Sequence, residues 1–115
     1  QVRRGDVVIV DLEPTKGSEQ EGSGRPCVVI QNDVGNRYAP TTIIAPLTTS
    51  YDPSDIYPFE AEVTAQDTPL EEDSVADLSQ IRVIDTERRV KSNVGSLPEP
   101  VMADIDRALR NSLGI

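Results

Sequence analysis

Apolar residues along this chain fall in short runs, and their spacing changes character only once, near the end. Val7 to Leu12 is apolar nearly throughout, which predicts a central strand rather than a half-exposed one. Cys27 to Gln31 predicts a second strand, ended by Asn32-Asp33 and a loop holding Gly35, Asn36 and Arg37. Thr41 to Thr48 is rich in β-branched residues and predicts a third, with Pro46 marking an edge or a bulge. Thr49 to Pro58 predicts a long acidic loop. Phe59 to Thr64 alternates apolar and acidic side chains, the pattern of a half-buried strand, with Phe59 assigned to the core. Ser74 to Asp85 predicts one bent strand or two short ones.

The final stretch has helical spacing. Val101, Met102, Ile105, Ala108, Leu109 and Leu113 form one apolar stripe. Ser96-Leu97-Pro98-Glu99 fits a capping box, with Ser96 as N-cap and Glu99 at N3, and Gly114 supplies a stop. Asp104 with Arg107, and Asp106 with Arg110, are expected to pair on the exposed face. Five to seven short strands followed by one amphipathic helix, with no repeat or linker between them, predict a single domain over residues 1–115. The expected fold is mainly β: a small, strongly bent barrel with the terminal helix against it.

Composition narrows the setting. A chain of 115 residues has room for one core. No apolar run approaches the roughly 20 residues of a membrane span, so no membrane partner is expected, and no secretory leader pattern opens the chain. The single cysteine, Cys27, has no partner for an intramolecular disulfide and suits a reducing cytoplasm. Its place in an apolar strand makes it a small buried hydrophobe. The net charge of −9 is concentrated in residues 41–80, which hold nine acidic and no basic side chains. Two lysines stand against nine arginines and eleven aspartates, a bias that suggests adaptation to high salt.

Histidine is absent, which removes the commonest acid–base group and metal ligand, and with it Ser-His and Cys-His pairs. No phosphate-loop or dinucleotide fingerprint occurs, so no cofactor is expected. The carboxylates have the spacing of a solvated acidic face, and no metal site is assigned. The chemistry left is charge stabilisation with oriented hydroxyls. One stretch is built for that. Gly17 to Gly24 is a polar loop with three glycines, and it leads through Arg25-Pro26 into the second strand. Pro26 restricts Arg25 to an extended backbone, so one permanent cation is presented beside a mobile loop. A planar guanidinium matches the oxygens of a phosphodiester. The plainer reading of the same residues is a solvated loop and a surface ion-pair partner.

Arg4-Gly5-Asp6-Val7, Asp11-Leu12-x-Pro14, Gly17-Ser18-Glu19-Gln20, Gly24-Arg25-Pro26 and Gln31-Asn32-Asp33 together resemble the MazF/PemK family of toxin endoribonucleases. The resemblance continues through Thr42 to Thr48, Asp73-Ser74-Val75, Gln80 to Asp85 and Ala108 to Leu113, in order and over nearly the whole chain. It implies an SH3-like barrel, a homodimer, an antitoxin partner whose disordered tail occupies the RNA groove, and metal-independent cleavage of single-stranded RNA. In that chemistry the 2′-OH attacks the adjacent phosphate and leaves a 2′,3′-cyclic phosphate and a 5′-OH. The matching catalytic positions are Arg25 and Thr48. Ser18, Glu19 and Gln20 are expected to bond exposed bases, with Asn32, Asn36 and Gln80 doing likewise from the rim. Asn32 and Asn36 have a competing role in turns, and Gln80 in satisfying backbone. Stacking would fall to Tyr38, Tyr51, Tyr57 or Phe59.

Two places depart from the family pattern. Thr49–Pro58 lies where the family varies its substrate-gating loop, so a target sequence does not carry over. Asp77 stands where an apolar residue is usual. Two other function classes remain open from sequence: a binding module such as a gyrase-poisoning toxin, which shares this barrel, and a regulatory partner with no nucleic-acid role.

Overall fold

Strand β3 (Thr41–Thr48) is the element on which the others assemble in the computed structural model, which describes residues 1–115. On one side it pairs with β2 (Arg25–Val29) over Ile44 to Pro46. On the other it pairs first with β6 (Arg82–Asp85) over residues 41–44, then with β5 (Ser74–Asp77) over Leu47 and Thr48. Ala45 and Pro46 fall in the gap between those two partners. Pro46 therefore sits where the sheet divides, in a central strand and not at an edge, because a residue without an N–H is tolerated where no ladder needs one. From β2 the sheet continues to β1 (Asp6–Val10) and β7 (Val90–Ser96), and from β5 to β4 (Glu60–Val63). All pairings are antiparallel. This is the mainly β fold with a terminal helix that the pattern predicts, with seven strands.

Alternation along the strands divides the core in two. Val7, Val28, Ala45 and Leu47 face a cluster completed by Ala61, Val63, Ala76 and Leu78 and by Met102, Ile105 and Ala108 of helix α3 (Glu99–Leu113). Val8, Val10, Leu12, Cys27, Val29, Ile44 and Ile84 face the opposite way into a second cluster. Burial on both faces is why these strands read as unbroken apolar runs.

Several expectations change. Arg25 and Pro26 open β2 as strand residues, so Arg25 is inside the sheet and does not merely precede it. The expected loop after Asn32 is a short helix, α1 (Asp33–Tyr38), whose N-cap Asn32 accepts from the Gly35 N–H at 2.8 Å. Residues 86–95, to which no element was assigned, form the one-turn helix α2 (Thr86–Arg89) and most of β7. β7 is a mostly exposed edge strand, so neither burial nor alternation marks it. Ser74 to Asp85 is two strands joined by a single 3₁₀ turn, Leu78–Gln80. Asp77 is the reason for the break: its Oδ1 accepts from both the N–H and the Oγ of Ser79.

The capping box does not form. Ser96 ends β7, and its Oγ donates to Asp6 Oδ1 at 2.7 Å, while the helix begins at Glu99 with Pro98 as its N-cap and no side-chain cap. Asp6 is buried and also accepts from the Arg3 N–H and from Asn93 Nδ2, so it ties the chain start to β7. Along α3 the Asp104–Arg107 pair forms, but Asp106 pairs with Arg4 across the sheet and not with Arg110. Leu113 is exposed at the frayed end of the stripe. Gly114 ends the helix at φ +74°, with its N–H bonded to the Arg110 carbonyl. Phe59 is half-buried and stacks on the exposed Tyr57, with ring centroids 5.4 Å apart, outside both core clusters. No helix is long and apolar enough to cross a membrane.

Candidate active site

The sheet register brings two distant side chains to one place. Cys27 lies opposite Pro46, and Val28 opposite Ala45. Carried two residues further, the same register sets Arg25 opposite Thr48. The ladder itself ends at Cys27 and Pro46, but residues level with one another in this alignment share a face. The face is that of Cys27 and Ile44, away from helix α3, so the cation and the hydroxyl end one side of the sheet together.

The guanidinium has one hydrogen bond to the protein. Its Nη2 donates to the Leu47 carbonyl at 3.0 Å, beside Thr48. Its Nε is buried with no hydrogen-bond partner, which no other side-chain nitrogen or oxygen in this protein shares. A charged donor left without an acceptor is costly, and such groups concentrate at functional sites. Gly22 lies against the Arg25 stem at φ +133°, where a Cβ would overlap Arg25 Cγ and Cδ. The Thr48 Oγ1 accepts from the Ser50 N–H at 3.1 Å, which leaves its own O–H free to donate outward.

A second cation joins them. Arg82 lies opposite Ile44 on the same face, with Nη1 donating to the Leu12 carbonyl at 2.9 Å. Burial pushes the Cys27 thiol up to about 12, while the positive charges of Arg25 and Arg82 pull it the other way. The sequence reading did not single out Arg82. The signal was present in strand parity, since Arg82 keeps step with buried Ile84, but it requires the β3–β6 pairing to be known. A cleft of about 430 Å³ opens beside Arg82, bordered by Pro14, Gln20, Pro46 and Gln80, with Arg25 and Thr48 outside its lining.

The remaining candidates separate into two groups. Ser18, Glu19 and Gln20 lie on the loop over this cleft. Gln80 holds that loop, with Oε1 accepting from the Gln20 N–H and Nε2 donating to the Ser18 carbonyl, so it satisfies backbone. Glu19 Oε1 accepts from the Lys16 N–H at 2.7 Å. Asn32 and Asn36 belong elsewhere. They follow the far end of β2, a strand of roughly 15 Å. Asn36 is buried, and its amide is fully used: Oδ1 accepts from Gln31 Nε2 and Thr42 Oγ1, and Nδ2 donates to the Gln31 carbonyl and Asp33 Oδ1. The structure does not bring this pair to Arg25.

The aromatic rings are also dispersed. Tyr38 is exposed at the end of α1 under the Arg37 guanidinium, 5.3 Å from its centroid. Tyr51 donates to Glu62 Oε2 at 2.7 Å and thereby pins the loop after Thr48 to β4. No three His, Cys, Asp or Glu side chains gather as a group able to hold a metal ion.

Residues 3–113 match the family described as PemK-like, MazF-like toxin of type II toxin–antitoxin system. An endoribonuclease MazF from Staphylococcus epidermidis is 45% identical over 114 residues, spanning 99% of this chain and 92% of its own. Among solved structures, MazF (Form-I) from Deinococcus radiodurans superposes with a TM-score of 0.80 at 25% identity, covering 99% of this chain and 97% of that one. A mycobacterial endoribonuclease in complex with its cognate antitoxin superposes at 0.81 with 20% identity, over 100% and 97% of the two chains, a likeness of fold.

Proposed function

This chain belongs to the PemK-like, MazF-like toxin family, and on that premise we propose that it is an endoribonuclease whose Arg25 and Thr48 act together on the scissile phosphate of single-stranded RNA. The observation that carries the reading is that the Arg25 guanidinium reaches β3 beside Thr48, its Nη2 donating to the Leu47 carbonyl, while its Nε is buried without an acceptor. The guanidinium nitrogen left for a phosphate oxygen is Nη1, which has no hydrogen-bond partner in the protein and, unlike Nε, is not buried.

The step is an internal transfer. The 2′-oxygen forms a bond to phosphorus as the bond from phosphorus to the 5′-oxygen breaks, giving a 2′,3′-cyclic phosphate and a 5′-OH. The 2′-OH loses a proton and the departing 5′-oxygen gains one. Charge grows on the phosphoryl oxygens in between, and a fixed guanidinium favours that state over the ground state. Arg25 is assigned this electrostatic role and not proton transfer, because a guanidinium with a pKa above about 12 keeps its proton at neutral pH. The free O–H of Thr48 donates to a second phosphoryl oxygen or orients the 2′-OH. Arg82 adds positive charge on the same face of the sheet.

Ser18, Glu19 and Gln20 contact the bases beside the cut, since their loop overhangs the cleft that Arg82 borders. Asn36 is given no base contact, because its amide is fully used within the fold. Family membership supports a homodimer, a cognate antitoxin as protein partner and a cytoplasmic setting, all of which belong to this proposal.

The test is incubation of the purified protein with a long mixed-sequence RNA in EDTA, at low salt and in molar KCl, with Arg25→Ala alongside and product ends mapped. Discrete cuts ending in 2′,3′-cyclic phosphate, lost in Arg25→Ala, are the expected result. Intact RNA in both salts would overturn the reading in favour of a binding module such as a gyrase-poisoning toxin.

A further inference from the structure

We propose that Glu13 and Gly22 form a brace that fixes the Arg25 guanidinium, and that both are positioning residues for cleavage; this rests on the role given to Arg25 above. The Gly22 backbone touches the Arg25 stem, and a side chain at residue 22 would occupy the space of Arg25 Cγ and Cδ. Its φ of +133° is itself open only to glycine without strain. Gly22 thus forms one wall of the slot in which the arginine lies, and the Leu47 carbonyl forms the other end.

That wall is held in place from two directions. The Gly22 carbonyl accepts from the Leu12 N–H at 2.8 Å, at the end of β1. The Gly22 N–H donates to Glu13 Oε1 at 2.9 Å. The first bond is main chain to main chain and extends the sheet edge. The second depends on one side chain. Glu13 is in turn anchored, because Arg89 Nη1 donates to the carbonyls of Asp11 and Glu13 at 3.0 and 2.7 Å, and the Glu13 N–H donates to Asp11 Oδ1. The result is a chain of contacts from the end of α2, through Arg89 and Glu13, to Gly22 and the Arg25 stem.

A brace is needed because the loop before Arg25 is otherwise polar and exposed, while Arg25 must keep an unpartnered Nε buried. An arginine free to swing would turn that Nε to water. Held in the slot, it keeps Nη2 on the Leu47 carbonyl and leaves Nη1 free for a phosphate oxygen. Small displacements of such a group, about 1 Å, cost on the order of 100-fold in rate.

The experiment compares the parent protein with Glu13→Ala, Glu13→Gln, Gly22→Ala and Arg25→Ala. Two quantities are read: ¹⁵N relaxation of the Arg25 Nε–H in RNA-free protein, and kcat and KM for RNA cleavage. The Arg25 Nε–H is expected to be rigid in the parent and mobile in Glu13→Ala and Gly22→Ala. Their kcat falls about 10-fold and about 100-fold, with KM within about twofold, because the guanidinium is misplaced and not removed. Glu13→Gln keeps the Oε1 acceptor and recovers both rigidity and rate. The brace is overturned if the Nε–H stays as ordered in Glu13→Ala as in the parent, or if Glu13→Gln behaves like Glu13→Ala. Should Gly22→Ala fail to fold, the exposed Glu13 still decides through its two variants. If Arg25→Ala cleaves like the parent, the catalytic reading of Arg25 falls, while relaxation still reports whether the brace holds the side chain.

Discussion

Gln80 and Gln20 meet across 60 residues of sequence, the N–H of Gln20 donating to Gln80 Oε1 at 3.1 Å. The other end of the same amide donates to the Ser18 carbonyl at 3.1 Å. One side chain thus closes the β1–β2 loop over the cleft. Gln80→Ala is expected to remove both bonds, raise amide exchange at Gln20 and cost about 1 kcal/mol of stability, since net hydrogen-bond contributions are of that order. Gln80→Glu keeps the acceptor and loses the donor, so it should protect Gln20 while failing to restore RNA cleavage fully. Exchange at the Gln20 amide, measured with the cleavage rate, checks both.

Arg25 and Thr48 differ in what conservative replacement does. Arg25→Lys keeps the charge but loses the planar fork, and is expected to lower kcat 10²- to 10³-fold, the order seen when an oriented donor is removed from developing charge. Thr48→Ser keeps the hydroxyl and should retain most activity, whereas Thr48→Val should lose about as much as Arg25→Lys. Single-turnover cleavage of a defined RNA separates these outcomes. Equal activity in Thr48→Val and the parent would remove Thr48 from the mechanism.

Asp6 is the main buried carboxylate hub, with three donors converging on it from Arg3, Asn93 and Ser96. Asp6→Ala leaves those donors without their acceptor and is expected to destabilise the fold by about 2–4 kcal/mol. The loss should appear as a lower urea midpoint with β7 the first strand to exchange. It should not lower kcat in the fraction that remains folded.

Cys27 gives a pH signature with a definite sign. Its thiol is pushed from 9.0 up to about 12 by burial, so the folded state holds the proton more tightly than the unfolded one. The contribution to stability is fully present below pH 9 and is lost as pH rises from 9 towards 12. Tyr51, raised from 10.0 to about 12 by loss of hydration and by its bond to Glu62, acts in the same direction from pH 10. Stability should therefore fall between pH 9 and 12, and fall less in Cys27→Ala. Iodoacetamide at pH 8.5 should label Cys27 in urea and leave it unlabelled in the native protein.

Surface charge predicts a salt response. Only two ion pairs form, Arg4–Asp106 and Arg107–Asp104, against a net charge of −9. The nine acidic residues between 41 and 80 therefore have no ion-pair partners, and their repulsion is screened as the Debye length shrinks from about 10 Å at 0.1 M to about 3 Å at 1 M. The melting temperature is expected to rise between 0.1 and 1 M KCl. A flat or falling curve would remove the high-salt reading of the composition.

Some of this architecture is written locally, and some is not. Val7 to Val10, Thr41 to Thr48 and Glu60 to Val63 lie where the apolar pattern puts strands, because burial on one or both faces leaves a periodic trace. α1 leaves little trace: at six residues, with a glycine in its middle, it depends on the Asn32 cap and the Asn36 network. β7 leaves even less, since an edge strand is held by main-chain pairing and by Asp6. The Ser96 hydroxyl shows the limit of a motif. A capping box and a strand-end contact to Asp6 call for the same residue type, and the partner 90 residues away decided between them.

The candidate site divides in the same manner. Arg25 and Pro26 are marked by chemistry and by their place between a glycine loop and an apolar run, and the order of motifs marks Thr48. Sequence alone also determined the number of apolar runs, the terminal helix and the absence of histidine. Only the tertiary structure decided that the Arg25 guanidinium bonds β3 beside Thr48, that Arg82 lies on the same sheet face, and that Asn32 and Asn36 belong to α1 beyond the other end of β2. The physical reason is register. A strand's own pattern states which of its residues share a face, but which strand lies beside it, and in what alignment, is set by long-range pairing whose hydrogen bonds are blind to side-chain identity.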